Sequence, residues 1–372
     1  MQLHHGDRSL RPGGLGAHAA LGSALLALLA VPAAGDPPPT LADTGLYADF
    51  ASRTLAPGVE PFSPQYPLWS DGASKRRWIR LPEGSAIDAS DPDAWVFPIG
   101  TRIWKEFSLE RRIETRYMER TASGEWLYAT YRWNEGGTAA PLAPARGVKL
   151  AAESRPGVPY GLPSVTDCRA CHESGASAVL GFSALQLSSD RDPGAPHAMA
   201  PEPGSLDLEE LVRRGLVVGL PAPLAAHAPV VGAASPVARA ALGYLHGNCS
   251  HCHNARSPVA SLGLSFTVRA DGTPEALATA VGAESLYRPT GSSLHVRVVP
   301  GAPAESLLIA RASSRQPPLQ MPPLATRLID EEALALLERW IAEDLEPSPA
   351  TADDALATAL APASEIPQEN DR

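Results

Sequence analysis

Apolar and polar positions alternate with two different periods along this chain, and the change from one to the other divides it. From Phe97 the residues Ile99, Thr101, Ile103 and Phe107 recur at steps of two, with Pro98, Gly100, Arg102 and Trp104 between them. Ile113, Thr115 and Tyr117 repeat the pattern, as do Trp126, Tyr128 and Thr130 opposite Leu127, Tyr131 and Trp133. Gly124 and the stretch from Asn134 to Gly137 punctuate the runs. A period of two with turn residues between runs predicts an antiparallel β-domain of four to seven strands over 43–150. Further on the period lengthens. Leu208, Leu211, Val212 and Leu216 form one helical stripe. Val237, Ala240, Ala241, Tyr244 and Leu245 form a second behind Ser235-Pro236, and Ala333, Leu334, Leu336, Leu337, Trp340 and Ile341 a third behind Asp330. Ser at the cap and Pro at the first helical position are helix-start signals.

The two ends read differently. Arg8 and Arg11 precede an apolar run from Ala19 to Val31, and small residues follow at Ala33, Ala34 and Gly35 before Asp36-Pro37. This order predicts a secretory signal peptide over 1–35, and the run is shorter than the roughly 20 residues that a bilayer crossing needs. The mature, periplasmic chain is therefore expected to have no transmembrane span. Residues 346–372 are rich in Ala, Pro, Ser and acids without a periodic face, which predicts a disordered tail.

At 372 residues the chain is long enough for two or three domains, and its 38 prolines and 31 glycines point to many loops. A formal charge of −10 with no Lys/Arg run argues against nucleic acid and suits a basic protein partner. All tryptophans but Trp340 lie in the β-rich region, where their first use is core.

The chain's 4 cysteines fall into two pentapeptides, Cys168-Arg-Ala-Cys171-His172 and Cys249-Ser-His-Cys252-His253. Structural zinc sites pair their cysteine couples at about 15–20 residues and need no adjacent histidine. Redox Cys-x-x-Cys pairs likewise require none. Covalent haem attachment does. On a helix, positions i, i+3 and i+4 share a face, so two thiols can bond one edge of a porphyrin while the imidazole ligates its iron. The expectation is two covalently held haem c groups, on Cys168 and Cys171 and on Cys249 and Cys252, with His172 and His253 as proximal iron ligands. His251, between the second pair, is expected to point away into solvent, and His246 carries no assignment.

A helix delivering Cys-x-x-Cys-His, then Gln320-Met321-Pro322-Pro323, then a helix bearing Trp340, is similar to the element order of class I cytochromes c, over 235–345. The resemblance implies Met321 as sixth ligand of the second haem. Its soft thioether favours Fe(II) and raises the potential. Residues 151–230 surround the first motif without such a loop, leaving Met199, His197, His227 or a group from the N-terminal region to supply the other sixth ligand. The run Trp95 to Phe107 resembles β-domain cytochromes in which a lysine cross-links to haem, with Lys105 at the matching place; a strand lysine is otherwise a solvated residue.

Trp69-Ser-Asp-Gly-Ala-Ser-Lys-Arg-Arg-Trp78, Leu180 to Ser188 and Leu242 to Asn254 make the chain similar to an uncharacterised bacterial family of exported dihaem c-type cytochromes. The resemblance implies haem and export and no substrate. The fold class expected is α+β, with the antiparallel β-domain followed by a mainly α-helical, cytochrome c-like haem region. The function expected is electron transfer to or from a redox protein. The alternative is a dihaem peroxidase or oxidase with an open site on the first haem, against which no placed acid–base groups can be named.

Overall fold

The computed structural model describes residues 35–346, so most of the expected signal segment and of the expected tail lies outside the described residues. A five-stranded antiparallel sheet dominates, and its strands lie side by side in chain order: β1 (Glu60–Pro61), β2 (Ser74–Arg80), β3 (Arg102–Ser108), β4 (Arg112–Arg120) and β5 (Trp126–Arg132). Trp78 pairs with Trp104, and Trp104 with Tyr117. Alternate residues therefore build two different faces. On one face Trp78, Trp104, Tyr117, Ala129 and Tyr131 bury against Leu41, Leu46 and Trp133. Two of these aromatics also satisfy their polar ends: Trp104 Nε1 donates to Thr44 Oγ1 at 2.9 Å and Tyr131 Oη to Pro38 O at 2.9 Å.

The opposite face is apolar only at its two ends. Ile79, Ile103, Met118 and Tyr128 pack on Phe62, Trp95, Phe97, Phe182, Leu187 and Leu211. At the other end Phe107 packs with Ala73, Ile113, Tyr160 and Leu162. Between them runs a polar row across the strands, Arg77, Lys105, Arg116 and Thr130, aligned by the strand register.

A hairpin, β6 (Val148–Arg155) and β7 (Val158–Leu162), leads into α1 (Val165–His172). Ser164 starts that helix: its hydroxyl accepts from the Asp167 N–H at 3.1 Å, and Asp167 Oδ2 accepts the Ser164 N–H at 2.9 Å. This reciprocal box explains how so short a helix begins at a fixed residue. Beyond α2 (Leu208–Arg213) comes α3 (Pro236–Cys249), capped by Ser235, whose Oγ accepts from Ala238 N at 3.0 Å. Ala238, Ala241, Leu242 and Leu245 of α3 bury against Leu337, Trp340 and Ile341 of the C-terminal helix, α5 (Glu331–Arg339) and the π-turn that continues it.

One expectation is overturned. The second half is not a mainly α-helical region: helix amounts to only 21% of the structure, and sheet is its principal architecture. Between α3 and α5 the chain runs through turns, isolated bridges such as Val281 to Val298, and only short helical pieces, among them Ala276–Thr279 and the six-residue helix α4 (Leu307–Ala312). The cause is in the sequence. Gly263, Gly272, Gly282, Gly291 and Gly301 all adopt positive φ there, and prolines at 274, 289, 300 and 303 interrupt the same span, so no continuous helical ladder can form. Periodicity identified the two flanking helices correctly but says nothing about the span between them.

The arm of chain from Phe62 to Ala73 joins the sheet to this second half. Trp69 N–H donates to Asn248 Oδ1 at 2.6 Å, and Tyr66 Oη donates to Asp192 at 3.0 Å. Tyr66 lies directly on α3. A Cβ at Gly247 would stand 2.4 Å from the Tyr66 carbonyl oxygen, and one at Gly243 2.0 Å from its ring. Only glycine allows that approach.

Candidate functional site

One cavity of about 1060 Å³ opens between the polar row of the sheet, α1, the end of α3 and the loop before α5. It exceeds the roughly 300–1,000 Å³ of a single small-molecule site. Cys168, Cys171, His172, Cys249, Cys252, His253 and Met321 all line it. Residues far apart in sequence therefore share one space.

The first pentapeptide occupies the last turns of α1, so the i, i+3, i+4 geometry holds. The Nδ1 of His172 lies 2.6 Å from the carbonyl oxygen of Ala178. A carbonyl can only accept, so Nδ1 carries the proton and Nε2 keeps its lone pair. Burial pushes the His172 pKa down to about 4, which keeps the ring neutral as a metal ligand must be. Its ring packs on Tyr128 at 5.5 Å between centroids.

The second pentapeptide begins at the final residue of α3. Cys252 and His253 follow in a turn, their N–H groups donating to Cys249 O at 3.2 and 2.9 Å. His253 sits edge-on to Phe266 at 5.6 Å, and burial pushes its pKa too down to about 4. His246 is structural: its Nδ1 accepts the Val268 N–H at 3.0 Å.

The two motifs meet. The sulfurs of Cys171 and Cys252 and a ring nitrogen of His251 lie within 4.8 Å of one another. Interaction with Cys252, then burial, pushes the Cys171 thiol up to about 12. Asn254 ties the pair together, its Nδ2 donating to Ser174 O at 3.0 Å and Ser250 O at 2.8 Å. His251 is thus not turned into solvent as expected. The helix stops at Cys249, so the outward direction of a helical i+2 position does not apply to it.

Met321 belongs to a loop held from several sides. Its N–H donates to Arg311 O at 3.0 Å, and Arg315 donates to Met321 O at 3.2 Å and Leu328 O at 2.9 Å. Asp71, on the arm from the sheet, accepts the Arg327 N–H at 2.9 and 3.1 Å through its two oxygens and the Leu328 N–H at 3.0 Å.

The named sixth-ligand candidates for the first motif are not brought to the cavity. Met199 is exposed on the surface, and His227 is an exposed helix-capping residue. His197 is engaged elsewhere: its Nε2 lies 2.8 Å from Asp330 and its ring 4.7 Å from that of Trp69. The N-terminal region instead places Lys105, Met118 and Tyr128 on the cavity wall. Lys105 is therefore not a solvated strand residue. Burial, then the charges of Arg77 and Arg116, lowers its pKa well below the ordinary lysine value. The period of two could have found Met118 and Arg116, which share a face with Lys105, but nothing in the pattern said that this face looks into a cavity.

The fit to two c-type haems can be judged on donors and walls. The cavity supplies four thiols, neutral imidazoles and a thioether, the donor set of haem attachment and ligation. Trp69 Nε1, Trp95 Nε1, Tyr128 Oη and His253 Nδ1 are buried without a hydrogen-bond partner among the described residues, and all four residues line the same cavity. Orphaned polar atoms cost about 1–3 kcal/mol each unless a ligand meets them. The residues present fit the group. Comparison of the chain with protein-family models, curated proteins and solved structures finds no match.

Proposed function

We propose that this protein is an exported dihaem c-type cytochrome that transfers electrons, with both haems carried in the one cavity. The observation that carries the reading is the convergence of the two Cys-x-x-Cys-His motifs on that cavity, with the Cys171 and Cys252 sulfurs within 4.8 Å of each other. Bound haem would supply reversible one-electron chemistry at iron. The chain's residues do the rest. Cys168, Cys171, Cys249 and Cys252 anchor the groups; His172, fixed by Ala178, and His253 present neutral nitrogens; Met321 presents a sulfur from a loop that Asp71 and Arg315 hold still. Haems bonded to Cys171 and Cys252 would be anchored at sulfurs that lie within 4.8 Å of one another, so these two residues would hold the groups side by side.

The net charge of −10 suits a basic redox partner in the periplasm. Among the described residues no helix is long and apolar enough to cross a membrane.

A second reading has its own observation. Cys171, Cys252 and His251 are near enough to hold a metal ion such as zinc. The distance in sequence that argued against zinc does not separate these groups in space. A third reading, a peroxidase or oxidase at the first haem, draws support from the absence of Met199, His197 and His227 from the cavity wall.

Protein produced with a cytochrome-maturation system separates the three. Two haems per chain by pyridine haemochrome, no zinc by elemental analysis and indifference to cyanide and peroxide support electron transfer. Cyanide binding at one iron supports the enzyme. Colourless protein with stoichiometric zinc supports the metal site.

A further inference from the structure

The polar row on the inner face of the sheet is a site that the haem reading leaves unused. Arg77, Lys105 and Arg116 are direct cross-strand neighbours on β2, β3 and β4, and all three line the cavity. Like charges opposite one another repel, and enclosed cations need a counter-charge. Arg116 has one: it donates bidentately to Glu114 at 2.7 and 3.2 Å, and Tyr160 donates to the same carboxylate at 2.8 Å.

Neither Arg77 nor Lys105 makes a side-chain hydrogen bond or ion pair among the described residues, although Arg77 is only 6% exposed. Two other acids that line the cavity, Asp71 and Asp330, are committed elsewhere. Asp71 serves the backbone of Arg327 and Leu328, and Asp330 serves His197 and Tyr244. Lys75, on the same face, donates to Leu68 O at 2.8 Å and adds no negative charge. The wall therefore presents an enclosed guanidinium and, beside it, a lysine nitrogen that rests over the Phe107 ring at 5.0 Å, neither of them paired with a carboxylate among the described residues.

We propose that Arg77 and Lys105 form an anion site in the cavity, one that takes a carboxylate or small oxyanion. A planar guanidinium can donate to two oxygens at once and the lysine to one of these or to a further oxygen, an arrangement that suits a carboxylate or sulfate and not a neutral ligand. Two sources can supply the anion. One is a carboxylate carried by the cofactor itself, an arm that rests on the haem reading; the other is a free oxyanion, which does not.

The test uses the purified full protein, its haem content first established by pyridine haemochrome so that loss of the cofactor reading is recognised separately. Sodium sulfate is titrated calorimetrically into the wild type and into Arg77→Gln, Lys105→Gln and, as a surface control, Arg155→Gln. The conservative Arg77→Lys guards against a folding defect. For a free oxyanion, wild type and control bind one sulfate, each Gln variant weakens binding by about tenfold or more, and Arg77→Lys recovers part of it. For a cofactor carboxylate, the wild type binds no sulfate and each Gln variant lowers the reduction potential of one haem. Equal sulfate binding by all variants, an adventitious ion only, would overturn the proposal. So would a wild type that ignores sulfate together with unchanged potentials in the variants.

Discussion

Removing the carboxylate of Asp71 should release the loop that carries Met321. Three contacts run from this one side chain to two backbone N–H groups, at 2.9, 3.1 and 3.0 Å, and the carboxylate is only 5% exposed. Hydrogen bonds to a charged group contribute about 1.5–3 kcal/mol each, and the loop amides can recover part of that from water once freed. Asp71 also sits at a φ of 52°, a conformation that Asp and Asn tolerate better than other side chains. Asp71→Ala should therefore lose about 3–4 kcal/mol, and Asp71→Asn, which keeps an acceptor and suits the backbone, about 1 kcal/mol.

Urea unfolding measures those losses. Hydrogen exchange locates them: the Arg327 and Leu328 amides should be protected in the wild type and exchange faster by a factor of ten or more in the Ala variant. In haem-loaded protein the near-infrared sulfur-to-iron band should fade in Asp71→Ala and survive in Asp71→Asn. Unchanged exchange at these two amides in Asp71→Ala would refute the tether, whatever the global stability did.

Other consequences can be checked more briefly. Gly247→Ala sets a methyl group 2.4 Å from a backbone oxygen that no rotamer can move. Overpacking costs about 1–3 kcal/mol and helix propensity returns about 1 kcal/mol; a net loss of about 1–2 kcal/mol in urea is expected, and a variant as stable as wild type would contradict the close approach of Tyr66 to α3. Lys75 is buried, and burial, then the charges of Arg77 and Arg116, lowers its pKa from 10.5 to about 7. Its folded pKa lies below its unfolded one, so between about pH 7 and 10.5 the unfolded chain holds the extra proton and stability rises with pH. The penalty is fully present below pH 7. Relative to Lys75→Met the wild type should gain up to about 1.4 kcal/mol per pH unit across that window, and a pH-independent difference between the two would contradict the assignment.

Local periods in the sequence located strands and helices but not the space that they enclose. The period of two from Ile103 to Trp133 announced strands, because alternate residues of a sheet must face alternate environments. It also placed Ile103, Lys105 and Phe107 on one face. The identity of the space that this face meets depends on α1 and α3 arriving from elsewhere in the chain, which no local pattern records. The helical periods behind Ser235-Pro236 and Asp330 located α3 and α5, but the region expected to be mainly α-helical is not, because glycines at positive φ and prolines dictate turns between them. His251 was misjudged for a related reason: the helix that would have turned it outward ends two residues earlier. Met199, His197 and His227 are near the first motif in sequence only, whereas Lys105 and Met118 reach the cavity through the strand register.

The central claim is that both pentapeptides carry haem in one shared cavity. It is tested most directly by the pyridine haemochrome of protein matured with a cytochrome c assembly system, read beside its mass. Two haems per chain are expected for the wild type and one each for Cys168→Ala/Cys171→Ala and Cys249→Ala/Cys252→Ala. A wild-type chain of unmodified mass with four titratable thiols and no haemochrome band would contradict it.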